Sequence, residues 1–137
     1  MGSLEVTLLA DTHVLLWWLA DGQGLSRAQI EALERSDRAG DRVGIAAITL
    51  WEIAMLTARN RIRLTQSVDG FLDALEANPR LAVLPLSARA ALESTRLGSD
   101  FHRDPADQLI VATARLHGLR VVTADRRIRN SNLVSVV

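Results

Sequence analysis

The sequence contains no cysteine and no lysine, and each absence removes chemistry. Without cysteine there are no disulfides, no thiolate metal sites and no cysteine nucleophile. Without lysine there is no Walker-type phosphate grip, no Schiff base, and no lysine of the kind a signalling receiver places at its acidic pocket. All 16 basic residues are arginine, against 16 acidic ones, so the formal net charge is zero and overall electrostatics do not mark out a nucleic-acid binder. An arginine-only complement suits bidentate contacts with phosphate or carboxylate, but it also follows from codon bias alone. Long hydrophobic runs are missing too. No apolar stretch reaches the roughly 18–20 residues of a membrane span, and no basic segment followed by a long apolar core opens the chain. The expectation is a cytoplasmic protein with no membrane association.

What is present is a chain of 137 residues, 48% of them hydrophobic, enough for a single domain over residues 1–137 with its own core. Short apolar runs at Val6–Ala10, Arg42–Ala47, Leu81–Leu86 and Leu119–Ala124 read as strands, and "LVSVV" at the end as an edge strand. Between them lie helical stretches: "THVLLWWLA", apolar nearly all round; "LSRAQIEALERSDRAG", capped by Ser26; "TLWEIAMLTARNRI", opened by Thr49 with Glu52 three residues on; "SVDGFLDALEAN"; "SARAALESTRLG"; and a helix from "DPAD" to Gly118. Strands too apolar to have a wet face, alternating with helices, predict a mainly parallel sheet covered on both sides, an α/β class fold.

The acids then draw attention. In open α/β sheets the functional crevice lies beyond the carboxyl ends of the strands. Asp11 and Asp125 end strands, while Glu52 and Asp107 lie in the first turns of helices expected to start at that edge. Each has a capping explanation taken singly, and the stretch "HRDPADQ" has the form of a helix start, with Asp104 at the N-cap, Pro105 next and Asp107 at the third position. Capping gives no reason for four acids at one edge. Two carboxylates about 5 Å apart repel by about 3 kcal/mol at an effective dielectric near 20. A cation relieves that, and an all-oxygen donor set selects a hard ion such as Mg²⁺ or Mn²⁺, which supports phosphoryl chemistry.

The stretches "LLADTHVLLWWL", "ITLWEIAML", "HRDPADQLIVATA" and "VVTAD", in that order and spacing, resemble the PIN domain, and in particular the VapC-type toxins of prokaryotic toxin–antitoxin pairs. The resemblance covers nearly the whole chain. It implies a three-layer α/β/α sandwich, a Mg²⁺- or Mn²⁺-dependent endoribonuclease, a cognate antitoxin and a homodimer. By position, the family's acidic quartet falls on Asp11, Glu52, Asp107 and Asp125; Thr12 and Thr123 match supporting hydroxyl positions, and Asp104 matches an extra acid with a mainly structural role. Two departures stand out: no basic residue follows Glu52 until Arg59, and the C-terminal tail is short.

Other residues are expected to play lesser parts. His13, one position into its helix, is expected to turn away from Asp11. Trp17, Trp18 and Trp51 could stack on bases, but burial in the core or an interface is favoured, with one of the adjacent pair meeting a partner. Of the clusters Arg59–Arg63 and Arg126–Arg129, the second begins beside the acids, so Arg126 and Arg127 are the candidate RNA contacts; an antitoxin carboxylate could use them equally. Two rivals stand beside the ribonuclease reading. One is a catalytically silent PIN-like module that binds RNA or protein. The other is a receiver-type signalling domain, disfavoured by the missing lysine and the lack of an acidic neighbour at Asp11.

Overall fold

The computed structural model describes residues 5–137. Four parallel strands, β1 (Val6–Ala10), β2 (Arg42–Ala46), β3 (Leu81–Leu84) and β4 (Arg120–Val122), form one sheet in the order β3-β2-β1-β4. The chain steps outward from β1 through β2 to β3, then returns to add β4 on the other side of β1. The strand order therefore reverses between β1 and β4, the point at which such sheets open a crevice.

Side chains alternate across the pleat. Leu8, Ala10, Ile45 and Val122 face one core with residues of α1 (Thr12–Leu19), α2 (Arg27–Arg38) and α4 (Val68–Ala77). Leu9 and Val121 face another with α6 (Pro105–His117) and α7 (Arg126–Arg129). Between them, α3 (Ala47–Ala58) contributes to both, through Ile53 on the first side and Ile48 on the second. The expected α/β/α sandwich with a parallel sheet is what forms. A short α5 (Ala88–Ser94) precedes α6. No helix among the described residues is long and apolar enough to cross a membrane.

Local signals explain most boundaries. Ser26 and Gln29 exchange side-chain and backbone hydrogen bonds in a full capping box. Asp104 caps α6 with Pro105 in the first turn, and Gly118 ends it in the left-handed conformation, φ 66°.

Three expectations give way. α3 begins two residues before Thr49, at Ala47, with Ala46 as an N-cap that makes no side-chain bond, because β2 runs straight into the helix. Thr49 is thus inside the first turn and fully buried, and the capping box with Glu52 does not exist. The same helix stops at Ala58, short of Ile62, where Asn60 turns left-handed at φ 55°. "LVSVV" pairs with the sheet through a single bridge, Val121 with Val136; β4 is only three residues long, so there is no ladder for a full strand to join.

Of the tryptophans, Trp17 and Trp18 pack as expected and Trp51 does not. Trp17 and Trp18 both pack, partly buried, against the first core, and the Arg80 guanidinium lies 5.0 Å from the Trp18 ring centroid. Trp51, by contrast, is 55% exposed. Gly24, at φ 97°, lies against Trp17 so closely that a Cβ there would stand 2.7 Å from a ring carbon.

Candidate active site

Asp11 follows β1 directly and serves as the N-cap of α1, its Oδ1 accepting from the Val14 N–H at 2.9 Å. Its Oδ2 accepts from the Thr123 hydroxyl at the end of the neighbouring β4. Only 7% of Asp11 remains exposed. Burial pushes its pKa up, against the opposing pull of the Thr123 and Val14 hydrogen bonds. The capping role and the site role are therefore compatible: one oxygen serves the helix and the other faces Thr123.

Glu52 reaches the same place from α3. Its Oε1 accepts from the hydroxyl of Thr12, which also lies 3.1 Å from the Thr49 hydroxyl. Burial raises the Glu52 pKa, and the charge of Asp104 adds to the rise. Thr12 thus stands at the carboxylate as the supporting hydroxyl expected of it, and Thr49, expected at the helix start, lies buried against Thr12 instead.

Asp107 stands one turn into α6, with His102 Nε2 3.2 Å from its Oδ2 but off the line of a hydrogen bond. Its pKa is raised to about 7, first by burial and then by the charges of Asp104, Asp125 and Glu52, with Arg127 acting in the opposite direction. Asp104 is both the N-cap of α6 and a wall of the site. Its Oδ1 accepts from the N–H groups of Ala106 at 2.9 Å and Asp107 at 3.2 Å, and the residue also lines the acid cavity.

Asp125 caps the four-residue α7, a helix too short to show periodicity in the sequence, through the Arg127 N–H at 2.8 Å. The Arg127 side chain returns on both its oxygens, Nε to Oδ1 at 3.3 Å and Nη2 to Oδ2 at 3.0 Å. Partial burial pushes the Asp125 pKa up, but the Arg127 hydrogen bonds and charge outweigh it, so the carboxyl titrates below its ordinary value.

Asp11, Glu52, Asp104, Asp107 and Asp125 line one cavity of about 320 Å³, with Thr12, His13, Trp17 and Arg127 in its walls. Two corrections follow. His13, expected to turn away, lines the cavity; the signal was available, since a side chain in the first turn of a helix leaving a strand's carboxyl end sits at that edge. The cluster also has a cation of its own, because Arg127 Nη2 lies 3.7 Å from Asp107 as well as 3.0 Å from Asp125. No sequence pattern shows this, since it depends on α7 turning back over the acids.

Among the described residues, no three carboxylate or imidazole groups already stand as a closed metal cage. The donor chemistry nonetheless fits a hard divalent cation: every candidate ligand atom is a carboxylate or hydroxyl oxygen. Three of the carboxyls, Asp11, Glu52 and Asp107, are also held above their ordinary pKa by burial and by the charges of neighbouring acids, a strain that added positive charge relieves.

A parallel three-layer α/β domain with buried acids at its strand-order reversal defines the class, and comparison with known proteins makes it particular. The chain belongs to the PIN domain family, whose profile matches residues 8–132. It is 40% identical over 124 residues to ribonuclease VapC22 of Mycobacterium tuberculosis, a match spanning 90% of this chain and 91% of that protein. Its fold is similar to that in the structure of VapBC2 from Rickettsia felis bound to a promoter DNA fragment, with TM-score 0.69 at 14% identity over 96% of this chain and 97% of that one. It is also similar to VapBC-5 from Mycobacterium tuberculosis, a member of the VapBC family of toxin–antitoxin systems, with TM-score 0.61 at 24% identity over 96% and 97% of the two chains.

Proposed function

We propose that this chain is a divalent-metal-dependent endoribonuclease and the toxin of a toxin–antitoxin pair, with Asp11, Glu52, Asp107 and Asp125 as the residues that hold the metal. The observation that carries the reading is the convergence of these four carboxylates, from four separate elements, on one cavity at the β1/β4 reversal. The identity to ribonuclease VapC22 supports the substrate class. The VapBC likenesses support an antitoxin partner. A second copy of the chain belongs to the same proposal.

Mg²⁺ or Mn²⁺ is the ion the donor set suits. Bound there, it supplies activation of a water for attack on phosphorus and neutralises charge on the phosphate. The chain's own residues do the rest. The Thr123 and Thr12 hydroxyls fix the carboxylates of Asp11 and Glu52 in single orientations, as outer partners of metal ligands do. Burial of Asp11 excludes bulk water from one side of the site. Arg127 occupies the space between Asp107 and Asp125, where its charge competes with a cation and suits a phosphate oxygen.

The test is Asp11→Asn, whose remaining amide oxygen can still accept from Val14. Mn²⁺ titration calorimetry and cleavage of a structured RNA should both show sharp loss, while a melt in EDTA stays within a few degrees of the parent. An Asp11→Asn protein that binds Mn²⁺ and cleaves like the parent overturns the reading. A parent protein that binds RNA but never cleaves it belongs to the catalytically silent alternative.

A further inference from the structure

A second and larger cavity, about 680 Å³, adjoins the acid cavity, and the two share Arg127 as a wall. Its volume lies within the roughly 300–1,000 Å³ of sites that enclose small organic groups. Leu97, Phe101 and Leu133 supply an apolar surface, and Arg126, Asn130 and Asp100 the polar edge. His102 ties the two spaces together, since it lines the larger cavity while its Nε2 stands against Asp107 in the smaller.

The arginines after Asp125 have separate occupations. Arg129 Nη1 donates to the carbonyl oxygens of Thr123 at 2.8 Å and Val137 at 2.7 Å, so it is structural. Arg127 is engaged by Asp125 and Asp107. Arg126 is exposed and lines the larger cavity, and its side chain has no hydrogen bond or ion pair among the described residues. A free guanidinium beside an apolar recess, one residue from a phosphodiester-cleaving site, matches the alternation of a nucleic-acid strand: phosphate, then sugar and base.

We propose that this cavity is the subsite for the nucleotide next to the scissile phosphate of a single-stranded RNA, with Arg126 neutralising that nucleotide's phosphate. The proposal rests on the ribonuclease reading above, and it adds where the strand runs: from the acids, past Arg127, into the recess between the loop that precedes α6 and α7 with the chain after it. Asp100 sits at the edge of this recess with the wrong charge for RNA, so it weakens binding and offers a test of opposite sign.

The experiment measures binding of a short fluorescein-labelled single-stranded RNA to the full chain by anisotropy in EDTA, across a salt series, so that no cleavage intervenes. Arg126→Ala should weaken binding roughly fivefold at about 0.1 M salt and make the log–log salt slope shallower by about 0.7, the value for one phosphate contact on a single strand. Asp100→Asn should tighten binding. Arg38→Ala, at the end of α2 that leads into β2 on the opposite sheet edge, controls for net charge and should change neither quantity appreciably. Mn²⁺ calorimetry on the Arg126 and Asp100 variants should match the parent. If Arg126→Ala binds RNA like the parent, or no differently from Arg38→Ala, the assignment is overturned. That failure is separate from failure of the ribonuclease reading, which Asp11→Asn decides.

Discussion

Replacing Asp107 with Asn should make the metal-free protein more stable, and the gain should depend on pH in a defined direction. The carboxyl of Asp107 is raised from 3.8 to about 7 by burial and by its acidic neighbours. The native state therefore keeps a proton that the unfolded chain has released between about pH 4 and pH 7, and stability falls as pH rises through that window. The full shift corresponds to about 4 kcal/mol at about 1.4 kcal/mol per unit. One side of the group faces the open cavity, and screening by solvent leaves roughly 1–2 kcal/mol of that. Asn cannot ionise, so the difference between the two proteins should be negligible near pH 4, grow through neutrality and be complete near pH 8. For a domain of this size roughly 1–2 kcal/mol is about 4–8 °C in Tm. Thermal melts in EDTA from pH 4 to pH 8 measure it. Adding Mn²⁺ should reverse the order, because the parent gains stability by binding the ion and the variant gains less. A variant that melts at or below the parent at pH 8 in EDTA would refute the argument, since Arg127 and His102 would then be stabilising the charged form more than burial and repulsion oppose it.

Thr12→Val keeps the shape of a fully packed position but removes the hydroxyl that orients Glu52; Mn²⁺ affinity by calorimetry should fall about 10- to 100-fold, as when an outer partner of a metal ligand is lost, and stability in the melt should fall by about 1–3 kcal/mol because the buried Thr49 hydroxyl loses its partner. At the start of α6, Asp104→Ala should cost about 1 kcal/mol, whereas Asp104→Asn, which caps equally well, should not; paired melts in EDTA distinguish them.

Much of this site was legible because strand ends are legible. Asp11 and Asp125 follow short apolar runs, and a parallel sheet has only one edge at which the ends of such runs meet. Glu52 is placed on the right edge because its helix follows β2 directly; what fails is the capping box, since β2 flows into α3 without a side-chain cap and Thr49 goes to Thr12 instead. Propensity cannot report this, because it depends on a contact across 37 residues. Arg127 is placed beside the acids by the sequence as a candidate RNA contact, but its grip on Asp125 and Asp107 is invisible there for a related reason. The four-residue α7 has no hydrophobic period to announce it, and without that turn the guanidinium does not come back over the acids. The terminal run "LVSVV" looked like a strand because it is apolar and β-branched, but β4 offers Val121 alone as a partner.

The contact between Gly24 and Trp17 gives the loop after α1 an influence on the site disproportionate to its chemistry. Trp17 is a common wall of the acid cavity and of an apolar groove that continues along α1 toward Ile62 and Phe71. Its ring rests where it does because position 24 carries no side chain: even a methyl would come within 2.7 Å of the indole, a separation that packed carbons do not tolerate, and the flat ring has no flexible end to yield. The position of one wall of the cavity is therefore set from outside, by a residue that offers no functional group to a ligand. Substitution there acts on calibre rather than on charge. Among homologous chains, variation at this position is a place to look for differences in how bulky a substrate the same set of acids admits.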